Sequence, residues 1–116
     1  MDRFIYKITS KNQWTSTEAS GCFEGAGIDR SDGFIHFSSA AQLIETVSKH
    51  FVGKRELLII CVDADKLGEH LRWEPSRGGD LFPHLYGVLP LSAVVETLEL
   101  PWDETGGHVF PMGPWQ

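Results

Sequence analysis

At 116 residues the chain is long enough for one domain around one core. Hydrophobic residues at 41% and charged residues at 22% are ordinary globular usage, which excludes a disordered chain. Ten Lys and Arg against 16 Asp and Glu give a net charge of −6, which argues against an extended nucleic-acid groove but leaves room for a pocket holding one small anion. No apolar run approaches about 18 residues, so a membrane span is not expected. Arg3 to Lys7 enters a strand directly, without a signal peptide, and a cytoplasmic protein is the expectation. Cys22 and Cys61 form no C-x-x-C pair, so neither a zinc knuckle nor a redox motif is read.

Phe4, Tyr6 and Ile8 alternate with Ile5, Lys7 and Thr9, which predicts a first strand. Asn12 to Trp14 reads as a connector. Thr15 with Glu18 matches a capping box, Trp14 before it reads as a hydrophobic staple, and Gly21 can stop a short helix. Cys22 to Ile28 is interrupted by glycines and reads as irregular, leading into a turn at Ser31-Asp32-Gly33. Phe34 to Phe37 is short, aromatic and branched, so it predicts a strand with Phe34 and His36 on one face. Ser39 with Gln42 is a second capping box, and Leu43, Ile44, Val47 and Phe51 then mark one face of a helix from Ala40 to about Phe51.

Leu57 to Val62 is a continuous apolar run of strand length, as expected for a strand covered on both faces. Asp63 to Gly68 reads as a surface turn; its two aspartates lack the rest of a calcium loop. Glu69 to Glu74 alternates, with Leu71 and Trp73 on one face and Arg72 and Glu74 on the other. Pro75 to Asp80 reads as a loop. Pro83 keeps Phe82 extended and denies a helix over Leu81 to Gly87. Val94 to Leu100 predicts a last strand, ended by Pro101. Residues 1–100 therefore form an α+β domain, and residues 101–116 an irregular Pro/Gly-rich tail lying back on it.

Polar side chains suited to chemistry fall in three stretches: His36 and Ser38; Arg72, Glu74 and Arg77; His84 and Tyr86. Phe34, Phe37, Phe82 and Tyr86 are interleaved with them and offer apolar walls for a flat ring. Three readings stay open on residue chemistry alone. A histidine and a carboxylate can hold ribose hydroxyls, while an arginine and a helix start hold a phosphate. His36, His84 and Glu74 can hold zinc with an open position. Or His84 caps a loop and Glu74 pairs with Arg72 or Arg77 on the surface, which carries no function.

Asp32-Gly33-Phe34-Ile35-His36-Phe37-Ser38 followed by Gln42, then Trp73-Glu74-Pro75-Ser76-Arg77, then Phe82-Pro83-His84-Leu85-Tyr86-Gly87 with Leu89-Pro90-Leu91, resemble three ordered motifs of the DUF952 family. The resemblance spans roughly residues 3–100. It implies a relation to the ADP-ribosyltransferase-like superfamily, hence a single domain with a split, mostly antiparallel sheet and flanking helices. It implies a cleft for NAD, taken as substrate, or another small nucleotide-type ligand, with chemistry at a glycosidic or 2′-phosphate group. Glu74, His36 and His84 become the catalytic candidates, and Ser38, Arg72, Arg77, Tyr86 and Phe34 the ligand-binding ones. No resident cofactor or metal is implied. The alternative on the same fold is a non-catalytic ligand-binding or protein-interaction domain.

Overall fold

The first strand, β1 (Phe4–Ser10), does not alternate between core and solvent. Ile5 through Thr9 are all buried, because both faces of its sheet are covered. The structure is a computed structural model that describes residues 2–76, 78–105 and 107–116. After β1 come α1 (Lys11–Ser20), β2 (Cys22–Phe23), α2 (Ile28–Asp32), β3 (Ile35–His36) and α3 (Ala40–His50). β4 (Leu57–Asp63), β5 (Leu71–Ser76), β6 (Asp80–Leu85), β7 (Leu89–Pro90) and β8 (Val94–Leu100) follow. The pair β9 (Trp102–Asp103) and β10 (Gly107–His108) lies in the tail. The chain is α+β with antiparallel pairing throughout the described ladders. No described helix is long and apolar enough to cross a membrane.

Two three-stranded sheets carry the molecule, ordered β1-β4-β8 and β3-β6-β5. They are joined where Tyr6 and Ser38 exchange backbone hydrogen bonds, Tyr6 N–H to Ser38 O at 2.8 Å and Ser38 N–H to Tyr6 O at 2.9 Å. The apolar run of β4 supplies both cores. Ile60 and Val62 pack with Ile5, Trp14, Phe23, Ile35, Phe37 and Leu85 between the sheets and α1. Ile59 and Cys61 pack with Tyr6, Ile8, Leu43, Val47 and Trp115 beneath α3. The strand covered on both faces is therefore present as expected.

Local expectations fared unevenly. The Ser39/Gln42 capping box starts α3, with Gln42 Oε1 accepting the Ser39 N–H at 3.0 Å. The Thr15/Glu18 box is wrong: α1 begins at Lys11, because the Ser10 hydroxyl takes the Gln13 N–H at 3.1 Å one turn earlier. Thr15 is mid-helix and donates back to Lys11 O at 3.0 Å, and Trp14 is a buried helix residue against Phe23 rather than a staple. The segment read as irregular and turn holds β2 and α2, and Gly33, at φ +86°, closes α2 in the left-handed region. The loop after Pro75 is shorter than expected, since β5 runs to Ser76 and pairs with Asp80. Asp63 is not at the surface. It is buried, with Arg3 on its carboxylate at 3.2 Å.

Candidate functional site

Register places the predicted residues. β3 pairs with β6 so that His36 faces His84, and β5 pairs with β6 so that Arg72 also faces His84. Directly opposed residues share a face of a sheet, and so do residues two apart. Arg72, Glu74, His84 and His36 therefore lie on one face of this second sheet. Ile35, Leu85, Leu71 and Trp73 belong to the other face, where they pack into the core.

Phe34 closes the group. Its ring lies 4.2 Å from that of His84, 4.6 Å from His36 and 5.1 Å from Tyr86, between centroids. The two imidazoles are 5.4 Å apart, edge to face. Glu74 Oε1 accepts from the Tyr86 hydroxyl at 2.7 Å and from His84 Nδ1 at 2.9 Å. Those two bonds hold the Glu74 carboxyl below its ordinary range, the Tyr86 bond contributing most. The Tyr86 hydroxyl is made harder to ionise in turn, chiefly by the hydrogen bond it donates to Glu74. The Arg72 guanidinium lies over the Tyr86 ring at 5.0 Å. Among the described residues Glu74 is thus drawn to a tyrosine and a histidine rather than paired with Arg72.

His36 is held from below by a residue that sequence reading missed. Asp29, on α2, is buried and accepts through Oδ1 from His36 Nδ1 at 2.6 Å and from the His36 backbone N–H at 3.1 Å. Its Oδ2 accepts from the Ala26 N–H at 3.0 Å and meets Lys7 Nζ at 2.8 Å. Burial opposes ionisation of Asp29, but the His36 bond and Lys7 outweigh it and hold the carboxyl down at about 2. Burial pushes the Lys7 ammonium down from its ordinary value against the pull of Asp29. On its other side, His36 Nε2 meets Asp32 Oδ2 at 3.0 Å.

Two signals could have found this network: a lysine set in an apolar strand, and the paired glycines of Gly25-Ala26-Gly27. Gly25 has φ +104°, and a Cβ there would lie 2.8 Å from Asp29 Cβ. The chain wraps Asp29 too closely for any side chain at that position.

Of the eight candidates, the structure gathers Phe34, His36, Glu74, His84 and Tyr86, with Arg72 on the rim. Ser38 is corrected out of the group. It is buried, and its hydroxyl lies 2.9 Å from that of Thr46 on α3, because β3 ends at His36 and Ser38 already bridges to Tyr6 of the first sheet. Arg77 lies outside the described residues. A hollow of about 340 Å³ opens beside the group, lined by Glu24, Asp29, Arg30, Gly33, Phe34, Ile35 and Gly87. A second of about 260 Å³ lies between Lys11, Glu99 and Trp102, away from these residues. Among the described residues no three His, Cys, Asp or Glu side chains are placed to hold a metal ion. The zinc reading of His36, His84 and Glu74 gives way to paired imidazole–carboxylate contacts.

The fold is similar to that of solved structures. The crystal structure of CC0527 from Caulobacter crescentus superposes with a TM-score of 0.86 at 45% identity, covering 91% of this chain and 93% of that one. Its solution NMR structure gives 0.80 at 45% identity, covering 91% of each. Comparison with curated proteins returns no match. The family described as "Protein of unknown function (DUF952)" matches residues 8–97, a stretch that takes in the whole of the second sheet and most of the first, and the chain belongs to that family.

Proposed function

We propose that the face bearing Phe34, His36, Glu74, His84 and Tyr86 is the site of an ADP-ribosyltransferase-like enzyme. It binds NAD or a related nucleotide and acts at a glycosidic or 2′-phosphate group. The observation that carries this reading is Glu74: partly exposed at 33%, and kept ionised by Tyr86 and His84. A carboxylate held that way is a poor general acid but a good acceptor for ribose hydroxyls. It steadies positive charge on a sugar ring as the glycosidic bond breaks and the electron pair leaves with the base. The Phe34 and Tyr86 rings offer a stacking surface, His36 a contact to ribose or phosphate, and Arg72 a cation at the rim. The hollow, about 340 Å³, is near the lower end of the ~300–1,000 Å³ of small-molecule sites. It takes a nucleoside-sized part of a dinucleotide, the remainder lying across the surface.

The test is calorimetric and thermal-shift titration of NAD, ADP-ribose and a 2′-phosphorylated dinucleotide, up to millimolar concentration. At least one is expected to bind wild type, and His36→Ala to weaken it. Silence from all three sinks the reading. Nicotinamide release from NAD, falling at least about a hundredfold in Glu74→Gln while binding persists, establishes turnover.

A non-catalytic binding domain is favoured by one observation. His84 is buried under Phe34 and, like Asp29, is already engaged by its neighbours. That reading predicts nucleotide binding with no nicotinamide released.

A further inference from the structure

Asp29 and Asp32 both meet His36, but they do so differently. Asp29 is enclosed, with donors on both oxygens, and is part of the fold. The Asp32 side chain is 46% exposed, at the end of α2. Among the described residues its carboxylate meets His36 Nε2, at 3.0 Å. The 3.0 Å separation is that of an ion-pair contact between the carboxylate and the outward ring nitrogen. An oxyanion of this chain therefore stands against His36 Nε2, the ring nitrogen that Asp29 does not hold.

We infer that Asp32 occupies the place of a ligand phosphate on His36, and that it is a specificity-determining residue through this self-occupancy. The inference rests on the reading that this face binds a ligand and specifies which ligand atom meets His36. Three features support a phosphate oxygen. Asp29 anchors the ring through Nδ1 and leaves only Nε2 to face outward. Arg30, whose Nε donates to Gly25 O at 3.4 Å, lines the adjoining hollow and offers a guanidinium to an anion there. Asp32 can turn away without moving α2, because α2 is tied down by Asp29 rather than by Asp32. A phosphate arriving at Nε2 must displace the Asp32 carboxylate and overcome its charge. Wild type should then bind free phosphate weakly, and prefer ligands whose remaining contacts offset that displacement.

The experiment uses inorganic phosphate, with NMR of the imidazole signals in isotope-labelled full-length protein as readout. Phosphate is expected to shift the His36 ring signals in wild type and to bind about tenfold more tightly to Asp32→Ala. Asp32→Asn, which keeps the side chain's size, should fall between them and guards against misfolding of the alanine variant. Asp32→Ala/His36→Gln should lose the gain. Acetate should bind Asp32→Ala more weakly than phosphate does. Equal phosphate affinity in wild type and both Asp32 variants, unmoved His36 signals, or acetate matching phosphate overturns the inference. If NAD and ADP-ribose fail while phosphate tightens on Asp32→Ala, the nucleotide reading falls and this one stands. If they bind wild type and Asp32→Ala alike while phosphate gains nothing from Asp32→Ala, the reverse holds.

Discussion

Asp29 is one carboxylate asked to neutralise a buried ammonium, fix an imidazole and close a loop. Asp29→Asn removes the charge but not the volume, and leaves Lys7, whose side chain is 10% exposed, without its counter-ion. The expected cost is about 3–5 kcal/mol in urea unfolding, because an uncompensated buried charge is left behind. Lys7→Met combined with Asp29→Asn should recover much of that loss, since neither partner is then stranded. The same pair sets a pH dependence. The Asp29 carboxyl is held at about 2 in the fold against an ordinary 3.8. A depressed carboxyl contributes stability that is present above its unfolded value and disappears as the pH falls through its folded one. The contribution, about 2 kcal/mol, should therefore fade between about pH 4 and pH 2. The stability gap between wild type and Asp29→Asn, followed by unfolding at successive pH values, should shrink over that window.

Among the elements, α2 does most to set the site, although it is only five residues long. So short a helix has little stability of its own; it persists because Asp29 is anchored and Gly25 lets the preceding chain lie against it. Gly25→Ala should cost at least about 2 kcal/mol, from the left-handed backbone and the 2.8 Å clash together, read as a lowered thermal midpoint. This is also where the sequence was hardest to interpret. Periodicity needs several turns to register, and Gly27-Ile28-Asp29-Arg30 has one. Strands β4 and β8 and helix α3 were legible because their apolar pattern or cap extends over many residues. The sharing of one face by Phe34 and His36 was legible too, since alternation needs only three residues. What alternation could not show was depth, so Lys7 read as a strand residue like its neighbours and Ser38 as a ligand contact. α1 was misplaced by five residues because Ser10 and Thr15 offer rival caps, and the pattern holds nothing that ranks them, whereas in the fold Ser10 takes the cap and Trp14 packs onto Phe23 from within the helix.

For the molecule as a whole, the tail returns to the core. Trp115 stands edge-on to Tyr6 at 5.4 Å and is buried with Leu43, Val47 and Ile59. Burial also pushes the Tyr6 hydroxyl up to about 12. Trp115→Ala should cost about 3 kcal/mol in urea unfolding, as for other large aromatic deletions from a core. Loss of well under 1 kcal/mol would mean that the tail is dispensable to the fold. Tyr6 has a second neighbour of consequence, Ser38, through which the two sheets share a pair of backbone hydrogen bonds. Lys7 is the next residue along β1, and its ammonium reaches Asp29 beneath His36. A ligand that seats on His36 thus pulls on a latch between the two halves of the molecule. Slower hydrogen–deuterium exchange at the Tyr6 and Ser38 amides would register occupancy from the rear of the site, before any product is looked for.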